Sequence, residues 1–324
     1  MAKDGRLDVI SKINWVISAE ESGIKLQAFL KGKLGQEVSA RQIKQLIDAG
    51  SCQINGRVER FSSRLVGRGD RIAFYKPEAT IKISSPTLIS FDSPDRVLYM
   101  DNELVVYDKP AGFSSEDPRL LSFIKSYEAA HAAMPNVLSE SHAQLVHRLD
   151  RDTTGVLVFA RNKAAAEVML ALFKQRQIKK TYLAIVDGVP ECSQGVIDNF
   201  LGKISTYQGQ TLYGEMSKEK GGLWARTVWE KKRSGQESSL VVCYPETGRT
   251  HQLRVHLSSL GHPILGDHQY GRSFMCPFRP QRMLLHAHEI AFENPVTKLP
   301  IKIVAKLPAD FTEAESLLIK QRQV

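Results

Sequence analysis

The chain has 324 residues, enough for two domains or one large domain with an appendage, and its 42% hydrophobic and 24% charged residues are ordinary for a globular protein. Its charge is less ordinary: 44 lysines and arginines against 35 carboxylates leave +9, a surplus that favours a polyanionic partner, nucleic acid before anionic membrane. The four cysteines, Cys52, Cys192, Cys243 and Cys276, form no Cys-x-x-Cys pair, which argues against a zinc ribbon or disulfide framework and suits a reducing compartment. The N-terminus mixes charge signs without a signal-type apolar core, and no run approaches a membrane span, so a cytoplasmic protein is expected.

Residues 1–22 read as an N-terminal extension. In residues 23–76 eleven lysines and arginines face four carboxylates, so most of the surplus charge sits there. Ile24, Leu26, Phe29, Leu30 and Leu34 recur near the helical period, and a second helix is expected from Ser39 to Ala49, stopped by Gly50. Short strands follow, Cys52-Gln53-Ile54 turning at Asn55-Gly56, then Asp70 to Tyr75. Residues 77–95, with Pro77, Pro86 and Pro94 among serines, read as an extended linker.

From Val97 the pattern turns to strands, Val97 to Met100 and Leu104 to Tyr107, ending in the loop Asp108-Lys109-Pro110-Ala111-Gly112. His147-Arg148-Leu149-Asp150-Arg151-Asp152-Thr153-Thr154-Gly155 then runs into Val156 to Ala160, a buried strand, so its polar residues lie on a loop anchored to the core. Asp150 has an arginine on either side and a histidine three residues back, surroundings that suit an ionised nucleophile or electrostatic stabiliser. From spacing alone, a solvated turn with Asp and Thr capping backbone amides is the simpler reading. A metal site on His147, Asp150 and Asp152 is weaker, because nothing else nearby has ligand spacing.

Asn162 to Arg176 reads as an amphipathic helix and Lys179 to Gly188 as an alternating strand ended by Asp-Gly, where Tyr182 would by composition be a core aromatic. Residues 189–223 read as loop-rich and polar. A hairpin, Ala225 to Trp229 and Ser239 to Tyr244, leads into Thr247 to Leu257. There Thr250 can cap a helix that buries Leu253, Leu257 and Leu260 and stops at Gly261. Arg254, beside apolar neighbours, needs a partner carboxylate, whereas His251 and His256, five residues apart, point to different helix faces.

The His147-Arg148-Leu149-Asp150 tetrad followed by Asp152-Thr153-Thr154-Gly155 resembles the signature loop of the RluA-type pseudouridine synthases; Thr154 replaces the usual serine and keeps the hydroxyl. Lys109-Pro110-Ala111-Gly112, Lys180-Thr181-Tyr182, the run from Thr247 to Leu257, Gly261 to Asp267 and Leu284 to Ala287 are similar to further stretches of that family. Phe113-Ser114-Ser115-Glu116-Asp117 departs from it, where a histidine usually follows. Residues 23–76, with Arg41, Ile54-Asn55-Gly56-Arg57 and Gly69-Asp70-Arg71-Ile72, resemble the S4 RNA-binding domain, whose second helix and following loop grip RNA phosphates; Arg41, Lys44 and Arg57 fall there.

The resemblance implies an α+β pseudouridine synthase fold over residues 96–324, a mixed, mainly antiparallel sheet with flanking helices and a central cleft. It implies isomerisation of uridine to pseudouridine in RNA, with no metal and no cofactor, because the base is both leaving group and returning nucleophile. Asp150 would be the catalytic carboxylate, Arg254 its ion-pair partner and Tyr182 the aromatic that stacks on the base. Arg148 would fill the space of the flipped-out uridine, with His147, Thr153 and Lys109 near the RNA. An S4-like unit ahead of such a core suggests 23S rRNA as substrate, tRNA second, and a monomeric enzyme. A protein of this fold that only binds RNA is the competing reading.

Overall fold

The computed structural model describes residues 11–35, 38–48, 51–59, 61–76, 91–131, 143–207, 210–271, 274–294 and 297–319. The chain divides into two compact units, Met1–Thr87 and Leu88–Val324. No helix among the described residues is long and apolar enough to cross a membrane.

In the smaller unit two helices, α1 (Leu26–Leu34) and α2 (Ala40–Asp48), accompany strands β1 (Ser11–Val16), β2 (Cys52–Ile54), β3 (Arg57–Val58) and β4 (Arg71–Lys76). The strands form an antiparallel sheet in the order β1-β4-β2-β3. Leu26, Phe29 and Leu30, at i, i+3 and i+4, share one face of α1 and pack with Ile43 and Ile47 of α2 over Cys52, Ile54, Ile72 and Phe74. Each large apolar side chain buried this way stabilises the fold by roughly 1.5–3 kcal/mol. Ser39 starts α2 with a reciprocal cap, its hydroxyl accepting from the Gln42 amide and the Gln42 side chain accepting from its own amide. Asn55 and Gly56 turn β2 into β3 with φ of 52° and 78°, the geometry Asn-Gly favours, and Asn55 also bonds to Asp70 and to the Arg71 amide.

β1 corrects the expectation that residues 1–22 form an extension. It pairs along its length with β4, Ile13 opposite Phe74. Its alternation of Ile13 and Trp15 with polar residues spans only six positions, too short a period-2 signal to stand out.

The larger unit opens with β5 (Val97–Met100), β6 (Leu104–Lys109), α3 (Pro118–Ala130), β7 (Gln144–Leu145), β8 (Thr154–Ala160), α4 (Lys163–Lys174) and β9 (Lys179–Asp187). It continues with β10 (Gln194–Tyr207), β11 (Gln210–Glu215), β12 (Leu223–Ser234), β13 (Ser238–Pro245), α5 (Gln252–Ser259), β14 (Leu285–Glu293), β15 (Pro300–Val304) and α6 (Ala309–Leu318). Eleven strands form one sheet, ordered β11-β10-β12-β13-β9-β14-β8-β6-β5, with β15 on β14 and β7 on β8. All seven residues of β8 are buried, which is why it reads as a continuous apolar run: Val156 and Val158 pack under α4, and Leu157 and Phe159 face the α3 side.

Two further expectations change. Phe91 to Asp95 is not linker: Phe91 accepts a hydrogen bond from the Tyr107 hydroxyl and its ring lies 5.5 Å from the Arg119 guanidinium, while residues 77–90 lie outside the described residues. Residues 189–223 are not loop-rich, because β10 and β11 form a long hairpin at the sheet edge. Leu201 is a buried anchor in a strand whose neighbours are exposed or half-buried, so the apolar alternation is faint.

The centre of the sheet carries its one parallel pairing among the described strands, β14 beside β8, with Ala287 opposite Gly155. Gly155 has φ +107° and a Cβ there would lie 2.1 Å from the Ala287 carbonyl oxygen, so the strand crossing demands glycine. Gly155→Ala is expected to destabilise the fold by about 3 kcal/mol through backbone strain and displacement of β14. The urea unfolding midpoint checks this; an unchanged midpoint would show that the contact gives way freely.

Candidate active site

The Asp150 loop is held from below by polar groups that leave little freedom to its backbone. Lys109, at the end of β6 and fully buried, donates to the carbonyls of Pro110, Phe113 and Arg151, each at 2.9 Å. Three acceptors match the three N–H groups of an ammonium, although burial pulls the Lys109 pKa down to about 7 against the charges of Asp152 and Asp150. The Ser115 hydroxyl clasps Leu149 from both sides, donating to its carbonyl at 2.9 Å and accepting from its amide at 2.8 Å. The Arg151 carbonyl accepts from the Gly112 amide, and the Asp150 carbonyl from the Thr153 amide. The residue before Asp150 and the residue after it are therefore both pinned.

The side chain of Asp150 meets α5. Its Oδ2 is 3.4 Å from Arg254 Nη1, and its Oδ1 is 4.0 Å from His251 Nε2. Arg254 is bound more firmly elsewhere: Nε and Nη2 grip Asp267 at 2.7 and 2.9 Å, Nη2 also donates to Gln269 at 2.8 Å, and the guanidinium lies 4.9 Å from the Tyr270 ring centre. The expected pairing of Arg254 with Asp150 is thus a single long contact, while the bidentate partner is Asp267, whose side chain is almost fully buried. A guanidinium that leaves water needs its whole fork satisfied, and one half-exposed carboxylate in a single long contact cannot do that.

His251 is placed by strain rather than by capping. It sits at φ 56° in the left-handed region at the start of α5, where Thr250 was expected to cap, and no side chain caps this end. The Tyr213 amide donates to the Tyr270 oxygen and the Tyr270 hydroxyl meets His251 Nδ1 at 2.7 Å, which leaves Nε2 facing Asp150. Burial and the neighbouring Arg254 lower the His251 pKa, so the ring is held neutral. At the other end Gly261 (φ +86°) stops α5 as expected, while Leu260 stays exposed and only Leu253 and Leu257 are buried.

Tyr182, from β9, packs against the cluster that contains Leu149 and Ala287, and burial together with the charge of Asp150 raises its phenol pKa well above the usual value. A phenol so held stays protonated, which suits stacking on a base better than taking a proton.

The other sequence candidates separate. Arg148 points outward, its side chain exposed and 3.4 Å from Glu116. His147 turns inward: its Nε2 accepts from the Val158 amide at 3.0 Å, its ring packs on Phe173, and its pKa is pushed down to about 3 by burial and then by Lys180. Lys109 and Thr153 are buried and His147 is half-buried, so all three side chains lie on the inner side of the loop. The Thr153 hydroxyl is the one buried side-chain polar atom without a hydrogen-bond partner among the described residues. Lys44 is exposed on α2 of the smaller unit, and the Arg41 and Arg57 side chains lie outside the described residues. His256 is buried against Thr227 and Asn199, away from His251.

Four contributors had escaped notice: Asp267, Gln269, Tyr270 and Ser115. Asp267 had a usable signal, because the carboxylate that an apolar-flanked arginine requires lies thirteen residues on, inside the quoted Gly261 to Asp267 run. Ser115 lay in the segment where the family's histidine is missing, and that same segment caps α3 through Asp117, which accepts from the Arg119 amide. Lys109→Met is expected to leave the Pro110 and Phe113 carbonyls without a donor and the Arg151 carbonyl with only the Gly112 amide, lowering stability by about 3 kcal/mol and loosening the loop. Thermal unfolding checks this; a melting temperature equal to wild type would show the carbonyls are satisfied otherwise.

The family described as RNA pseudouridylate synthase matches residues 103–259, a span that contains the Asp150 loop, Tyr182 and Arg254. The chain is 40% identical over 224 residues to an uncharacterized RNA pseudouridine synthase of Zymomonas mobilis, covering 67% of this chain and 96% of that protein. It is 30% identical over 302 residues to the ribosomal large subunit pseudouridine synthase C of Haemophilus ducreyi, covering 90% and 91% respectively. Among solved structures, human RNA pseudouridylate synthase domain containing 4 matches with a TM-score of 0.57 at 30% identity, over 70% of this chain and 94% of that one. The sheet, the family match and the relatives agree, and the chain belongs to the RNA pseudouridine synthases, which isomerise uridine to pseudouridine in RNA.

Proposed function

We propose that this enzyme isomerises selected uridines of 23S rRNA, acting as a monomer, with Asp150 as its catalytic carboxylate. The observation that carries the reading is the position of that carboxylate: on a loop pinned on both sides, facing Arg254 and His251, beside the half-buried ring of Tyr182. The relative named for the ribosomal large subunit supports rRNA over tRNA, and the basic smaller unit, read as S4-like over residues 23–76, would add phosphate contacts.

The uridine must leave the helical stack to reach Asp150, at a cost of roughly a few kcal/mol. Arg148, exposed at the edge of the loop, is suited to fill the space it vacates. The N1–C1′ bond breaks, the uracil turns under Tyr182, and a C5–C1′ bond forms while the C5 proton leaves and N1 gains one, so no atom is lost. Asp150 adds to C1′ or takes a ribose proton; in both routes Arg254, fixed by Asp267, keeps the carboxylate aimed.

Carbodiimide mapping of ribosomal and transfer RNA from cells with and without the gene tests this. Stops in 23S rRNA should vanish on deletion and return with wild type but not with Asp150→Asn; loss of stops in tRNA alone would move the substrate, and rescue by Asp150→Asn would end the assignment of the carboxylate. Asp267→Asn should free Arg254 from its bidentate grip and lower kcat by about 10–100-fold with KM little changed. Tritium release from 5-tritiated uridine in RNA measures it, and a wild-type kcat would show that Arg254 needs no such support.

A further inference from the structure

Beside the candidate site lies a group of cations for which the chemistry above has no use. Lys180 is two residues before Tyr182 on β9, so the two side chains emerge on the same face about 7 Å apart. The same placement shows in the electrostatics, since Lys180 acts on His147 and Asp150 acts on Tyr182, and His147 and Asp150 belong to one loop. Lys180 donates to the Thr247 carbonyl at 3.0 Å, and its pKa is drawn down to about 8 by burial and then by Arg249. Arg249 stands two residues before His251 and donates to the Trp224 carbonyl at 2.9 Å. The guanidinium of Arg176 lies 4.2 Å from the Trp224 ring centre.

Two features mark this group as more than a solvated surface. Among the described residues Lys180, Arg249 and Arg176 have no carboxylate ion pair, whereas Arg226, on the same strand as Trp224, is neutralised by Asp198 and Glu246. Like charges brought together without counter-charge cost stability unless an anion joins them. Arg176, moreover, occupies the residue after the cap of α4 with φ 60°, in a Schellman turn closed by Arg176 N–H to Phe173 and Gln177 N–H to Leu172. Glycine fills that position at lower conformational cost, so the side chain is retained against backbone strain.

We propose that Lys180, Arg249 and the Arg176–Trp224 pair are the track for the RNA strand beside the flipped uridine. A backbone phosphate meets Lys180 and Arg249, and the neighbouring base stacks on the outer face of the Arg176 guanidinium, which Trp224 backs. The track rests on the RNA-modifying reading above and adds the direction in which the strand leaves the pocket, from Tyr182 past Lys180 towards β12. Stacking of this kind tolerates any base, so the track contributes affinity rather than sequence choice.

The test uses the full chain with Arg176→Gly and Arg249→Gln, the first chosen because glycine suits that backbone. Binding of fluorescein-labelled dodecauridylate should weaken about tenfold in each, and the slope of log affinity against log salt should fall by about one contact in Arg249→Gln. Tritium release from large-subunit RNA of cells lacking the gene should show raised KM and unchanged kcat. Wild-type affinity, salt slope and KM in both variants would overturn the track, as would a fall in kcat with KM unchanged. If wild type releases no tritium yet the variants still lose affinity and salt slope, the function reading fails and the track stands.

Discussion

Arg254 is shared between two carboxylates, and most of the candidate site is arranged around that sharing. A guanidinium has five N–H donors in one plane, and here the inner edge is taken by Asp267 and Gln269 while one outer nitrogen is left for Asp150. A short bidentate bridge to Asp150 would have tied both its oxygens, leaving neither for another partner. The long single contact keeps the carboxylate near a positive charge without consuming it. Burial of Asp267 makes the inner pair strong, since the same low dielectric that penalises a lone charge favours a paired one.

The other half of the arrangement is the rigid support beneath the loop. A buried lysine bonded only to carbonyls, a serine bonded to both ends of one peptide residue and a histidine accepting a strand amide replace the water that a loop normally uses to satisfy its backbone. Behind them Thr154 meets His286, whose pKa burial draws down to about 4, so that layer is uncharged at neutral pH. Polar groups buried this deeply are tolerated because their partners are already in place, and the same completeness leaves Asp150 few positions to adopt.

Much of this was legible in the amino-acid order. The uninterrupted apolar run of β8, the Asn-Gly hairpin and the amphipathic α4 carry strong local signals, and the motif residues Asp150, Tyr182 and Arg254 do converge. What could not be read shares one cause: it depends on partners far along the chain. Ser115 reaches Leu149, Thr154 reaches His286, and β1 pairs with β4, each across separations that no local pattern encodes. Lys109, His147 and Thr153, which the family resemblance puts near the RNA, carry no sign of their inward placement in residue type or spacing. The burial of Lys109 and Thr153 and the half-burial of His147 follow only from β6, α3 and β8 closing around them.

The β10–β11 hairpin looks like a peripheral edge, yet it is wired into the candidate site. The Thr211 carbonyl accepts from Gln269, which holds Arg254, and the Tyr213 amide donates to Tyr270, which holds His251. Edge strands are ordinarily where a lineage can drift, lengthen or lose residues at little cost. Here a slip of one residue along β11 would present the wrong backbone groups to both relays, so the hairpin tolerates insertion or deletion only where its register survives.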